Sequence, residues 1–415
     1  MNEKAVVNGF TRNLEGRNRK GTLWHVLFQA STVVGIIALI ALVLNIIDSA
    51  FGYVAYEARV DPDTLAVDGV SIQDQDKDQL VALLQSTLSS GAYNKLNNEK
   101  AFEARSREEV YQLVIERIIR PKVVQVWKLW PSLTQADEIR ATVAQEHPGA
   151  ELDFVSWLTS DFVSRPQTSE PLTAGVRTAI LGSLWTIFFT ILLAFPVGVG
   201  AAIYLEEYAS DNWLNRLIQI NINNLAGVPS IVYGILGLAI FVRTLEPLTS
   251  GEVFGLVDPT TANGRTVLSA GLTLGLLVLP IIIINAQEAI RAVPRSLRNA
   301  SYGVGATKWQ TVWSHVLPNA MPGILTGTIL AVSRAIGETA PLVVVGASTA
   351  ISFDPSSPFS KFTTLPIQIY QWTSRPQDEF RSLAAASILV LLILLLSLNA
   401  FAVLLRNRFS RRFQA

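Results

Sequence analysis

The chain has 415 residues, half of them hydrophobic and only 16% charged, with 33 Lys plus Arg against 33 Asp plus Glu. Soluble domains carry ~25% charged residues, and nearly half of the charge here falls between Ala50 and Glu170, so the remainder is too apolar for a single soluble domain or a disordered chain. The balance gives no basic excess for nucleic acid, and without cysteine there is no disulfide framework, iron–sulfur site or thiol nucleophile.

In chain order, a tail (1–23) carrying Arg12, Arg17, Arg19 and Lys20 precedes the first apolar stretch, Trp24–Ile47. A lipid-crossing helix takes roughly 20 apolar residues. The run from Val26 to Ile47 is longer than the core of a signal peptide, and no small-x-small cleavage site follows. It is expected to be a retained span, over 24–50. Residues 51–174 then have soluble composition. Asp61-Pro62-Asp63 opens with turn residues. The polar run from Ile72 to Leu80 leads into a helix expected to reach Leu88. A second helix is expected over Glu103–Ile119, with Val110, Leu113, Val114, Ile118 and Ile119 on its apolar face and Pro121 at its end. A third is expected over Gln135–Gln145. Trp127, Trp130 and Trp157 are either core residues or anchors at a bilayer surface. His147, beside Pro148, reads as a surface residue. No metal cluster or nucleophile triad is visible, so a mainly helical packing or docking insert is expected.

Five further apolar stretches follow: Ala179–Tyr204, Leu225–Val242, Val267–Ala286, Met321–Gly346 and Leu383–Leu405. The second of these is short and carries Gly227 and Pro229, which membrane helices tolerate when neighbours cover the backbone. Arg406, Arg408, Arg411 and Arg412 follow the last stretch, and the loop Glu288–Pro318 carries Arg291, Arg295, Arg298 and Lys308. The positive-inside rule places both termini and this loop in the cytoplasm and the insert outside, which six spans satisfy. The expectation is an all-α integral membrane protein with six transmembrane helices: five in a domain over 175–405, a cytoplasmic loop over 289–318 and a basic tail over 406–415.

Two features invite a functional reading. In the loop, Trp309 and Trp313 are four apart and share a helix side, and Gly305 fits a junction between two short helices. Such an element either docks a partner or anchors the fold at the membrane surface. In the fifth stretch, Arg334 and Glu338 are four apart and expected on one face of an apolar helix. Ionisable groups at that depth face protein or water. The pair is either a closed structural ion pair or part of a pathway, where the guanidinium fork suits an oxyanion. Thr339 adds a hydroxyl, Gly337 is expected to allow close helix packing, and Pro341 to bend the helix.

Asn299-Ala300-Ser301, Gly305 and Leu317-Pro318 resemble the coupling loop of importer-type ABC transporter permeases, whose pattern is Glu-Ala-Ala, three residues, Gly, nine residues, Ile, one residue, Leu-Pro. Asn299 and His315 depart from it. The segments Asn224–Gly234 and Ser333-Arg-Ala-Ile-Gly-Glu-Thr-Ala-Pro341 are similar to the phosphate subfamily, to its PstA type rather than its PstC type. The resemblance covers about Gly175 to Leu405. It implies the MetI-like ABC permease fold in a bacterial inner membrane and translocation of inorganic phosphate into the cytoplasm by alternating access. It also implies four partners: a homologous permease, PstC, two copies of an ATPase subunit, and an extracytoplasmic phosphate-binding protein. Asn299, Ala300, Ser301, Gly305, Trp309, Leu317 and Pro318 would then couple to the ATPase. Arg334, Glu338 and Thr339 would line the pathway, and Gly227, Pro229, Gly337 and Pro341 would serve packing or gating. Membrane lipid is the remaining expected partner, and nucleic acid is not one. This chain is expected to bind no cofactor, with ATP and Mg held by the ATPase. Gly303-Val-Gly-Ala-Thr-Lys308 lacks the spacing of a phosphate-binding loop. An enzyme is not expected, since neither H-E-x-x-H nor G-x-S-x-G occurs. The chemistry alone leaves another oxyanion, sulfate or molybdate, open. A self-sufficient secondary transporter would call for internal repeats, and a membrane scaffold for fewer polar residues in the spans.

Overall fold

The computed structural model describes residues 14–414 apart from 59, 61, 67–69, 100, 120–121, 169, 257–263, 348–350 and 352. Arg12, Asp61 and Pro121 of the readings above lie outside the described residues. Helix α1 (Leu14–Ala50) runs without a break into strand β1 (Phe51–Glu57). The insert continues with α2 (Lys77–Thr87), α3 (Ser90–Glu99), α4 (Arg107–Val114), β2 (Lys122–Val126), α5 (Leu129–Thr134), α6 (Ala136–Glu146), β3 (Glu151–Ser156) and α7 (Ser160–Ser164). Helix α4 extends through a wider turn to Ile119. Two starts are set by capping boxes, Asp76 with Gln79 and Ser106 with Glu109. The three expected insert helices are present as α2, α4 and α6, the second starting at Arg107 rather than Glu103, and α2 and α4 bury Leu80, Leu84, Val110 and Val114 in a small core of their own.

The insert also contains a sheet that the sequence reading did not anticipate. Its order is β2-β1-β3, all antiparallel, with Val54 opposite Val126 and Tyr53 opposite Phe154. The strands are short, and only their assembly makes a buried face. That face does not belong to the insert alone. Val54, Trp157 and Phe162 share one apolar core with Val176 and Ala179 at the start of α8 (Arg177–Ile203), with Leu365 and Trp372 of α17 (Leu365–Thr373), and with Leu383 of α18 (Asp378–Gln414). The sheet is thus welded to the ends of the spanning helices.

Between α8 and α17 the chain forms α9 (Trp213–Leu225), α10 (Ser230–Gly237), α11 (Glu246–Thr249), α12 (Val267–Arg291), α13 (Arg295–Gly303), α14 (Lys308–Thr311), α15 (Leu317–Gly337) and α16 (Ala340–Val345). Five described helices are long and apolar enough to cross a membrane: Gly16–Ala50, Arg177–Tyr208, Val267–Arg291, Lys308–Gly337 and Asp378–Arg408. A sixth crossing requires α9 and the helix from Ser230 to Thr244 to act as one bent pair, turned by 108°. Here the expected continuous span Leu225–Val242 is corrected. One helix ends at Leu225 and another begins at Ser230, because Pro229 has no amide to donate and disfavours helical geometry at Val228.

Helix α12 sits at the centre, with Leu274, Val278 and Ile282 buried. It approaches α8 closely where glycines stand in the interface. A Cβ on Gly271 would meet Phe189 Cβ at 2.5 Å, and one on Gly198 would meet Ile282 at 2.7 Å. Small residues bring membrane helices together in this way. Thr190 uses the proximity to donate its hydroxyl to the Gly271 carbonyl at 3.1 Å.

Candidate functional site: the α13–α14 corner and the ion pair at the end of α15

The loop after α12 folds as two short helices joined at Gly305. Gly305 has φ +83°, in the left-handed region that favours glycine. Its N–H donates to Tyr302 O at 3.0 Å, and Ala306 N–H donates to Ser301 O at 3.2 Å. These are the two bonds of a Schellman ending for α13. Thr307 then caps α14, accepting from Gln310 N–H. Buried Ser301 and Thr311 share a hydroxyl hydrogen bond of 2.8 Å across the corner, so the small residue at 301 holds the two helices together. Asn299, Ala300 and Gly305 stay exposed, while Leu317 and Pro318 are half-buried at the start of α15. Trp309 and Trp313 stack with centroids 5.5 Å apart and are each 59% exposed. The stacked pair makes an exposed aromatic knob, and Tyr302 and Val304 at the end of α13 are exposed as well.

This knob is tied to the spans. Arg298 of α13 donates from two nitrogens to Glu207 Oε1, at 3.0 and 2.8 Å, and also to the carbonyls of Val293 and Ile290. The side chains of Arg298 and Glu207 are only 16% and 6% exposed. Beside them Arg291 pairs with Glu206 at 2.6 Å, and Lys308 Nζ lies 5.2 Å from the centre of the Tyr208 ring. Glu206, Glu207 and Tyr208 form the turn that ends α8. Sequence reasoning placed Arg291 and Arg298 in a basic loop and missed their acidic partners, because these lie 85 and 91 residues away.

The second locus differs from expectation in its helix. The span Met321–Gly346 is not continuous: α15 stops at Gly337, Glu338 is extended (φ −73°, ψ 125°), and α16 restarts at Ala340 with Pro341 in its first turn. Pro341 has no N–H to continue the earlier ladder, so the chain breaks instead of bending. Arg334 therefore sits in the last turn of α15, where a cation meets the negative end of the helix dipole. Arg334 Nε donates to Glu338 Oε1 at 3.3 Å, so the pair is made, at a helix end rather than mid-helix. The Arg334 side chain is 47% exposed and that of Glu338 17%. Thr339 is half-buried at the start of α16 and makes no side-chain cap bond. Tyr233 of α10 is buried within electrostatic reach of Arg334, and its hydroxyl donates to Leu225 O at 2.8 Å across the α9–α10 corner. Its place in the Asn224–Gly234 segment is the sequence signal that points to it.

Residues 194–414 match the family described as "Binding-protein-dependent transport system inner membrane component". The chain belongs to this family of transport permeases. It is 32% identical over 222 residues to the "Probable ABC transporter permease protein YqgI" of Bacillus subtilis (strain 168), covering 53% of this chain and 69% of that one. It is 34% identical over 244 residues to the "Phosphate transport system permease protein PstA 1" of Mycobacterium tuberculosis (strain ATCC 25618 / H37Rv), covering 59% and 73%. Among solved structures it resembles a chain of a bacterial alginate ABC transporter in complex with an alginate pentasaccharide-bound periplasmic protein, with 14% identity, a TM-score of 0.45 and coverage of 73% and 95%.

The glycines of this permease redistribute the packing roles read from sequence. A Cβ on Gly337 would meet nothing within 4 Å, and one on Gly227 only Asn224 O at an ordinary 3.5 Å, so neither makes a close approach within the chain. Gly337 fails to do so because the helix stops there. The close approaches are at Gly234, whose Cβ would lie 2.7 Å from Pro341 Cα, and at Gly237, 2.1 Å from Thr273 Oγ1. Buried Pro341 thus packs α16 on α10, and Pro229 precedes the first residue of α10. No group of three or more metal-ligating residues occurs among the described residues.

Proposed function

We propose that this permease is the phosphate-translocating membrane subunit of an ATP-driven importer in a bacterial inner membrane. One observation carries the reading: the family match spans 194–414, and those residues build both the tethered aromatic loop and the helix break that presents Arg334. The reading is supported by relatives at 33–34% identity that are named phosphate transport system permease proteins. The substrate crosses without any covalent change. An arginine facing hydrocarbon is costly, so the half-exposed face with Arg334 turns toward the pathway and the second permease, PstC, rather than toward lipid. There the guanidinium offers paired N–H donors to phosphate oxygens, and Glu338 holds it in place.

The knob of Trp309 and Trp313 docks on one of two ATPase subunits, which hold the ATP and Mg. Movement of α13 and α14 reaches α8 through Arg298–Glu207 and Arg291–Glu206, and reaches α15 through the unbroken helix Lys308–Gly337. An extracytoplasmic binding protein delivers phosphate from the opposite side. Counting α9 with α10 as one crossing puts both termini and the loop on the cytoplasmic face, where their Lys and Arg belong.

The test is co-purification with the partner subunits, then reconstitution in liposomes with labelled phosphate. Uptake is expected to require ATP and the binding protein, and to resist competition by sulfate and molybdate. Uptake by the chain alone under an ion gradient would refute the ATP-driven reading. Equal competition by sulfate would refute the substrate.

A further inference from the structure

Among the described residues of the insert, the large apolar side chains left exposed are Trp130, Leu133, Phe154 and Val163. Trp130 and Leu133 are the most exposed, at 69% and 64%, and they lie three apart on α5. Residues three apart share a helix face. The opposite face of α5 is pinned to the sheet. Buried Ser132 accepts from Tyr53 N–H at 2.9 Å and donates to Lys128 O at 2.7 Å. Trp130 and Leu133 stand exposed while Ser132, between them in the chain, ties α5 to the sheet.

The position of α5 identifies what covers them. Trp130 N–H donates to Asp48 Oδ1 at 2.8 Å. Asp48 is the first charged residue after the apolar run of α1 from Val26 to Ile47. At ~1.5 Å per residue, that run of about 22 residues spans roughly 33 Å, against ~30 Å for the hydrocarbon of a bilayer. Asp48 consequently lies at the rim of the hydrocarbon, and the hydrogen bond holds α5 at the same level. Apolar side chains also lead up to that rim: α1 exposes Leu39, Ile40, Leu42 and Leu44 on its way to Asp48. Lys128, exposed at the start of α5, adds a cation at the height of the lipid phosphates.

We propose that α5 is a bilayer anchor, with Trp130 and Leu133 seated in the headgroup layer beside the end of α1. A tryptophan, an aliphatic side chain and a lysine suit the lipid–water boundary, where an amphipathic ring is favoured and a long cation reaches phosphate. The anchor fixes the tilt of the insert against the membrane. Because β1 continues from α1 and its sheet shares a core with α8, α17 and α18, it also fixes the rim of the bundle.

The natural absence of cysteine makes the test direct. Trp130→Cys, Leu133→Cys and, as an aqueous reference on α6, Arg140→Cys are each labelled with the environment-sensitive dye NBD. The labelled chain is assembled in the full transporter in vesicles of phosphatidylethanolamine and phosphatidylglycerol, and variants that retain ATP-driven uptake are compared. Dyes at 130 and 133 are expected to emit at shorter wavelength than the dye at 140. They should resist aqueous iodide, and be quenched more by a lipid nitroxide just below the headgroup than by one near the acyl terminus. Iodide quenching at 130 and 133 equal to that at 140 overturns the proposal. So does shielding from iodide without any lipid quenching, which would mean that a protein covers the face.

Discussion

The proposed roles of Arg334 and Gly305 rest on different properties, the first on a charge and its donors and the second on a backbone angle. Arg334→Met keeps a long apolar stem and removes the donors. Because the side chain is nearly half exposed and fills no core, the complex is expected to assemble while phosphate uptake falls to background. Normal uptake by the variant would remove Arg334 from the pathway. At Gly305 the argument is purely one of backbone. A Cβ there meets nothing within 4 Å, so any penalty comes from φ +83°. A β-branched residue in the left-handed region costs on the order of 1–3 kcal/mol, and asparagine much less. Gly305→Val is expected to uncouple ATP hydrolysis from uptake or to lose the ATPase on co-purification, and Gly305→Asn to retain most transport. Equal behaviour of the two variants would show that the corner is not what the ATPase reads. The turn at Gly305 was legible in the sequence because a Schellman ending is local. The break at Glu338 was not, since apolar composition continues across it and a proline in a membrane helix is compatible with a bend as well as a break; Pro341 packed against Gly234 belongs to a separate helix.

Among the elements, the link between loop and spans is a buried ion pair, and its strength depends on how it is broken. Removing one partner of such a pair leaves an uncompensated charge and costs about 3–5 kcal/mol, whereas replacing both by apolar groups is often near neutral. Arg298→Met alone and Glu207→Leu alone are each expected to lower the unfolding temperature of the detergent-solubilised permease markedly. The double variant should recover much of the loss while remaining poorly coupled in uptake. A double-mutant cycle on thermal stability measures this, and simple additivity would mean that the two groups act independently. The bent pair α9–α10 shows a similar dependence on partners. Buried Gln287 of α12 exchanges side-chain hydrogen bonds with Gln219 of α9, at 2.7 and 3.2 Å, which holds α9 against the bundle while its apolar face stays outward.

For the whole molecule, the insert is a structural part of the bundle rather than a tethered domain. Trp157, 4% exposed, lies in the core shared with Trp372 and Leu383. Trp157→Ala is expected to cost about 3–5 kcal/mol, by analogy with large-to-small changes in other cores. It should also raise hydrogen exchange in α17. Leu84→Ala, in the separate helical core of the insert, should leave α17 protected. Unchanged exchange in α17 of Trp157→Ala would mean that the sheet is merely adjacent to the bundle. The sequence by itself determined where the apolar stretches lie, four of them as continuous spans, together with three helical segments of the insert and the corner of the loop, because each depends on run length, periodicity or a turn over a few neighbouring residues. Only the tertiary structure decided the sheet, the Arg298–Glu207 tether and the outward face of α5. The strands of the sheet are short and pair with segments some 70 to 100 residues away, as Val54 does with Val126 and Tyr53 with Phe154. Arg298 reaches back 91 residues to its carboxylate. Pairings over such separations leave no periodic trace in the chain, since the free energy that selects them arises only when the bundle has brought their surfaces together.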